Sequence, residues 1–362
     1  MKAAVLFESP GALSIEDVQI GEVRRHEVRV RIAASGLCHS DLHHLHRGTY
    51  MALPMIPGHE ASGVVEAVGA DVSYLAEGDH VITACRAFCG RCEYCLTGRS
   101  TLCLQVGLRR GPDDDPRVAL LDGRPCSQIG GLGTFSEEIL VHENALVKID
   151  KDVPLDRAAL LGCGVITGVG AVIRTAKVAA GSNVAVIGCG GVGLNCIQGA
   201  VLAGANHVIA VDVHANMLEL AKQFGATDTI NSATEDVQER LAEILPGYGG
   251  VDHAFEAVGR KETCELSFAM LRRGGTATVV GVYDGTFEVP ALPLLDERRI
   301  QGSMFGSVDF RRDMAFLLDL YHAGRLKLDE LISDRLSLEQ VNDGFERLAK
   351  GGVTRSLVVF PH

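Results

Sequence analysis

The run SNVAVIGCGGVGLNCIQGAVLAGANHVIAVDV, residues 182 to 213, leaves its backbone few options. Val184 to Ile187 form an unbroken apolar stretch, as expected of a parallel strand covered on both faces. Gly188, Gly190 and Gly193 follow in the spacing G-x-G-x-x-G, with Gly191 in the same turn. Glycines so placed permit a tight turn, close backbone approach to a pyrophosphate, and close contact between helix and sheet. A second strand ends on Asp212, nineteen residues past Gly193, where a carboxylate accepts ribose hydroxyls and repels a 2′-phosphate. That favours NAD over NADP. The plainer alternative is a glycine-rich turn with an incidental acid, because the motif alone is weak.

The alternation continues downstream. Helical patterns over 215–224, 235–245 and 262–271 interleave with strand patterns over 228–230, 251–257, 276–282 and 300–305, which predicts a doubly wound parallel sheet. Residues 1–163 read differently, as many short strand-like runs punctuated by Gly and Pro. The expected organisation is therefore α/β: a β-rich domain over 1–163, a Rossmann-type dinucleotide domain over 164–305, and a tail over 306–362 that returns to the first. A chain of 362 residues is long enough for two domains. Its net charge of −12 argues against a nucleic-acid partner, which needs clustered Lys and Arg. No run approaches the roughly 20 apolar residues of a membrane span. The opening residues reach Glu8 and Pro10 too soon for a secretory segment, so the expectation is a cytoplasmic protein with no membrane partner.

Eleven cysteines, an odd number, point in a reducing compartment to metal ligands rather than disulfides. Cys89, Cys92, Cys95 and Cys103 stand in the pattern C-x2-C-x2-C-x7-C. Four crowded thiolates repel one another unless a divalent cation accepts all four. An iron–sulfur cluster is the rival, but ferredoxins continue with three intervening residues and Cys-Pro, whereas here seven intervene and Leu104 follows. Zinc fits best, and a four-sulfur shell leaves no open position, so this zinc is structural. A second signal is dispersed over Cys38, His59 and Cys163. Two sulfurs and an imidazole leave a fourth position for substrate oxygen, with Glu60 and Asp41 near in sequence to orient the ligands. Spacing alone equally supports two buried thiols and a core histidine.

Four segments together resemble, in order and over essentially the whole chain, the zinc-dependent medium-chain alcohol dehydrogenases. They are GHEASGVVEAVGADV from Gly58 to Val72, the four-cysteine lobe, GCGVITG from Gly162 to Gly168, and GCGGVG from Gly188 to Gly193. The resemblance implies a GroES-like catalytic domain beside the Rossmann domain, NAD as cofactor, and two zinc ions per chain. It implies that Cys38, His59 and Cys163 hold the catalytic zinc. Ser40 would take the substrate proton and pass it through the nicotinamide ribose to His43. His39 and Arg355 would meet the pyrophosphate, and Thr167, Val192, Val280 and Val282 would line the nicotinamide pocket. For the three valines a place in the sheet core is an equal reading. His44 and His46 match no family role and are expected to be exposed or in a loop.

Substrate is less legible. Cys85 and Gly130 stand where relatives often carry larger pocket-lining residues, which implies room for bulky or aromatic primary alcohols. The long segment between Cys103 and Thr134 resembles the longer, dimeric branch of the family. A glutathione-linked formaldehyde dehydrogenase is the nearest rival, although its acidic loop is not evident in HRGTYMALPM and Ser40 stands where it usually has Thr. Polyol dehydrogenases generally replace the ligand found here as Cys163, and zinc-free quinone reductases lack both metal sets. A non-catalytic zinc- and NAD-binding redox sensor is the alternative of a different class.

Overall fold

Alternation builds the first sheet. In strand Glu27–Gly36 the side chains of Val28, Val30 and Ile32 are buried, while Arg29 and Arg31 on the other face pair with Glu66 and Glu138 of neighbouring strands. Such cross-strand pairs add a few tenths of a kcal/mol each and help fix register. Strand order is Leu146–Ile149, His80–Thr83, Ala61–Val68, Glu27–Gly36, Arg355–Val359 and Ile332–Leu336, with Glu138–His142 also paired to Glu27–Gly36. A second, five-stranded sheet runs Val118–Leu120, Leu13–Ile20, Lys2–Leu6, Met55–Ile56 and Ser127–Gln128. Two registers matter for chemistry: Ser35 opposite Ala61, and Leu357 opposite Gly36. They bring residues 38, 59 and 355 to one end of the sheet.

The computed structural model describes residues 1–361 apart from 109, 112 and 113. Arg109, Pro112 and Asp113, in the segment between Cys103 and Thr134, therefore lie outside the described residues, as does His362. The chain divides into two units, Met1–Cys163 with Asp309–Asp319 and Leu328–His362, and Gly164–Val308 with Leu320–Lys327. In the first, tail residues Val341, Phe345, Leu348 and Phe360 belong to the same core as Val28, Ile32 and Phe135, and the Phe345 ring meets Phe135 edge-on.

In the second unit six parallel strands lie in the order Asp228–Asn231, His207–Asp212, Asn183–Ile187, Val251–Glu256, Leu271–Val279, Arg299–Gly302. This is the doubly wound order in which ligands bind at the carboxyl ends of the strands. Element ends differ from expectation. The fifth strand starts at Leu271 and stops at Val279, so Val280 and Val282 lie just beyond it, where backbone turns away from the ladder. The last strand stops at Gly302 rather than Phe305, because Phe305 and Gly306 take positive φ in a 3-10 turn. Among the described residues no single helix is long and apolar enough to cross a membrane.

Candidate metal and cofactor sites

Cys38 is the extended residue before helix His39–His46. His59 comes two residues before strand Ala61–Val68, and Cys163 follows a short 3-10 turn. Their three donor atoms all lie within 4.8 Å of one another, and all three residues are buried. The dispersed signal thus becomes one cluster. Asp41, fully buried, accepts from Gly58 N at 2.9 Å and sits 3.2 Å from His59 Nδ1, which leaves Nε2 to face a metal. Burial disfavours a charged His59, but the Asp41 charge and hydrogen bond outweigh it and raise the imidazole well above its ordinary 6.5. A metal ion binding there displaces that proton. The Cys38 thiol is pulled well below its ordinary 9.0, first by hydrogen bonding with Cys163, then by Arg355 and His59. A depressed thiol is the form that ligates metal.

Arg355 is buried, donates to the Leu37 carbonyl at 3.1 Å, and has its Nε 3.7 Å from Glu60. Burial works against its charge, yet Glu60 and the Cys38 and Cys163 sulfurs hold it firmly protonated. Its guanidinium therefore lies against the donor cluster. Sequence reading missed Thr83, whose hydroxyl accepts from Ala61 N at 2.9 Å and donates to the His59 carbonyl at 3.2 Å, fixing the backbone on either side of that candidate ligand. The only trace in sequence is a hydroxyl at the end of an otherwise apolar strand, HVIT.

Of the histidines, His39 is exposed and His43 half-buried, with desolvation and then Arg47 keeping the His43 pKa below 6.5. Ser40 Oγ lies 3.7 Å from Cys38 Sγ, beside one of the three clustered donor atoms. His44 corrects the expectation of an exposed or loop residue: it is helical and buried, and its Nδ1 bonds Thr49 Oγ1 at 2.8 Å. The cause is helical periodicity, which puts His44 on the inner face with Asp41 and Leu45. His46 is exposed, at the last helical position.

The four-cysteine lobe fits its metal by arithmetic. A tetrahedron with Zn–S bonds of about 2.3 Å has edges of about 3.8 Å, and the sulfurs of Cys92 and Cys95, Cys92 and Cys103, and Cys89 and Cys95 stand 3.6, 3.9 and 4.0 Å apart. Backbone N–H groups of Cys89 and Gln105 point at Cys103 Sγ, and that of Cys92 at Cys89 Sγ. These donors favour thiolates. Backbone hydrogen bonds draw Cys92 down to about 6, while burial and neighbouring sulfurs push Cys95 up to about 12. Four such sulfurs ionise together only around a cation.

Cys85 and Gly130 have local explanations. The Cys85 thiol is buried and donates to the Gly162 carbonyl at 2.6 Å, next to Cys163. Gly130 has φ +61, and a Cβ there would come within 2.8 Å of the Cys85 carbonyl oxygen. Backbone geometry alone thus demands glycine at 130.

In the second unit, helix Gly191–Leu202 starts directly after Gly190 and is buried along most of its length. Asp212 receives Cys189 N at 2.7 Å and His214 N at 2.9 Å, one on each carboxylate oxygen, which ties it to the glycine turn. Each oxygen keeps a lone pair for a ribose hydroxyl. Thr167 Oγ1 is buried without a hydrogen-bond partner among the described residues. Such an orphan suits a polar ligand group. Val192 and Val280 are half-buried and Val282 is exposed, so none of the three is a fully covered core residue.

Comparison with known proteins agrees with this geometry. Residues 24–151 match the family described as alcohol dehydrogenase GroES-like domain, and 191–322 the zinc-binding dehydrogenase family. S-(hydroxymethyl)glutathione dehydrogenase of Saccharomyces cerevisiae is 37% identical, covering 98% of this chain and 95% of its own. Class-3 alcohol dehydrogenase of Zea mays is 38% identical, with coverage of 99% and 96%. Among solved structures, an alcohol dehydrogenase zinc-binding domain protein from Burkholderia ambifaria superposes with TM-score 0.94 at 35% identity, covering 100% of this chain and 99% of that one. Benzyl alcohol dehydrogenase from Acinetobacter calcoaceticus gives 0.91 at 32%, covering 99% of each. A zinc-binding dehydrogenase from Sinorhizobium meliloti, bound to NADP, gives 0.82 at 30%, again covering 99% of each. Similarity on this scale, running through both units, leaves one assignment: the chain belongs to the zinc-dependent medium-chain alcohol dehydrogenase family, oxidoreductases that use a nicotinamide cofactor.

Proposed function

We propose that the protein is an NAD-dependent alcohol dehydrogenase that interconverts primary alcohols, bulky or aromatic ones included, with their aldehydes. The observation that carries this reading is the buried cluster of Cys38, His59 and Cys163, three donors with a hydroxyl, Ser40, beside one of the sulfurs. Bound zinc supplies a Lewis acid able to lower the pKa of a coordinated water from about 15.7 to about 7, and the nicotinamide ring accepts hydride. The chain's own groups do the rest. Asp41 orients His59. Arg355 offsets the negative charge of the two thiolates and Glu60. Ser40 would accept the substrate proton while passing its own on toward His43, three residues on along the same helix, which would exchange it with water. Gly188, Gly190, Gly191 and Gly193 take the pyrophosphate, Thr167, Val192, Val280 and Val282 take the nicotinamide, and His39 is a further cofactor contact.

The carboxylate of Asp212 supports NAD over NADP by repelling a 2′-phosphate. Small residues at 85 and 130 put no aromatic side chain there, and similarity to benzyl alcohol dehydrogenase supports a bulky substrate. The second reading, oxidation of a thiol adduct of formaldehyde, is favoured by the 37% identity to S-(hydroxymethyl)glutathione dehydrogenase. Against it, Arg47 to Met55 carry no carboxylate and expose Tyr50 and Leu53 instead. We further read the protein as a cytoplasmic homodimer, the setting in which eleven free cysteines persist.

One panel tests this: metal-analysed protein assayed with ethanol, benzyl and medium-chain alcohols and S-hydroxymethylglutathione, each with NAD and NADP. Highest kcat/KM for benzyl or medium-chain alcohols with NAD is expected. Highest kcat/KM for the glutathione adduct selects the second reading, and a preference for ethanol defeats the pocket argument.

A further inference from the structure

Glu256 ends strand Val251–Glu256 at the carboxyl edge of the parallel sheet, where doubly wound folds bind ligands. It is fully buried. Its Oε1 accepts three hydrogen bonds, from Val258 N at 2.9 Å, Gly259 N at 2.7 Å and the Thr263 hydroxyl at 2.7 Å. Three donors on one oxygen suit the ionised form, which only accepts. The other oxygen, Oε2, is buried and accepts no hydrogen bond, and among the described residues no Lys, Arg or His pairs with the group. Keeping a carboxylate ionised without a cation is unfavourable in a protein interior. A turn needing three acceptor contacts does not require a full charge.

Its surroundings supply a reason. The Glu256 carbonyl accepts from Val280 N at 2.8 Å and Gly281 N at 3.0 Å, and Ala257 N donates to Ile187 O at 2.9 Å. The residue therefore knits together the ends of three strands. On one side a Cβ at Gly188 would overlap the Val258 side chain, so the first glycine of the phosphate turn rests on this loop. On the other, a Cβ at Gly281 would fall 2.6 Å from Oε2. The unbonded oxygen thus lies directly beneath the backbone between Val280 and Val282.

We propose that Glu256 biases the cofactor's redox state: its unpaired negative charge, held under Val280 to Val282, stabilises the cationic oxidised nicotinamide over the neutral reduced one. The inference rests on the reading above that these residues meet the nicotinamide. The oxidised ring carries one positive charge, which the two electrons of an added hydride cancel, while the carboxylate keeps its charge throughout. The effect is therefore a difference between two binding constants. A purely structural role in the turn weakens both forms alike.

The experiment is calorimetric titration of zinc-loaded wild type and Glu256→Gln with NAD+ and with NADH. A unit charge acting through an effective dielectric constant of about 20 is worth on the order of tenfold in a binding constant, so the Kd for NAD+ is expected to rise about five- to tenfold and that for NADH to stay within about twofold. An equal rise in both, or no change in either, overturns the proposal. Should that variant not fold, Thr263→Lys leaves the carboxylate in place and brings an ammonium to Oε1; the same selective loss of NAD+ is expected, and parallel loss again overturns it. If the wild type binds NADP+ and NADPH instead, the cofactor reading fails, while the ratio of oxidised to reduced affinity still tests Glu256.

Discussion

Alanine at Gly190 and alanine at Gly193 should fail in different ways, although both sit in one short motif. Gly193 lies in the first turn of helix Gly191–Leu202, and a Cβ there would overlap the Gly188 carbonyl oxygen and lie 2.8 Å from its carbon, against 3.4 Å for ordinary contact. Both obstructing atoms are backbone. Nine of its twelve residues are buried, including the eight from Gly193 to Ala200, so the helix has little room in which to move. Overpacking of this kind costs about 1–3 kcal/mol, and at roughly 2–4 °C per kcal/mol for a domain of this size the melting temperature should fall by about 2–12 °C. A displaced turn should also weaken cofactor binding. Gly190 differs. A Cβ there meets nothing within 4 Å, and its φ of −72 and ψ of −170 suit alanine. Its side-chain space is the space a pyrophosphate needs. Gly190→Ala should therefore melt within about 2 °C of wild type, as surface changes do, yet lose at least about tenfold in NAD affinity. Scanning calorimetry with equilibrium NAD titration reads both quantities. Equal destabilisation by the two variants, or unchanged stability and affinity in Gly193→Ala, would refute the reasoning.

Asp41→Ala removes the acceptor that orients His59 and should speed zinc loss to a chromophoric chelator about 10- to 100-fold; unchanged retention would count against the assignment. Cys103→Ser should lower bound zinc from two ions per chain to one, by metal analysis, and leave the Cys38 cluster loaded. Acid stability should depend on Glu27. Its burial opposes ionisation, but hydrogen bonds from Arg110 and Arg117 prevail and hold its pKa below the ordinary 4.5. A carboxyl depressed in the folded state stabilises fully above its unfolded pKa and loses that contribution as pH falls through the folded one. Glu27→Gln should flatten the fall in melting temperature below about pH 4.5; an unaltered slope would exclude Glu27 as its source.

Local spacing made two parts of this protein legible in its sequence. The four cysteines fall within fifteen residues of one another, so any turn that closes brings their sulfurs together. The strand, glycine turn, helix and Asp212 are likewise contiguous, and their geometry follows from backbone sterics that act over a few residues. His44 was legible too, had its helical period from Asp41 been followed.

Tertiary structure decided the remainder. Cys38 and His59 meet because Ser35 pairs with Ala61, and Arg355 reaches them because Leu357 pairs with Gly36; both registers are set by burial across a whole sheet. The direction of the Cys85 thiol, the backbone demand for glycine at 130, and the lone carboxylate of Glu256 arise from the same long-range packing. Short-range sterics are written residue by residue, whereas a strand's partner depends on which faces the entire chain can bury at once.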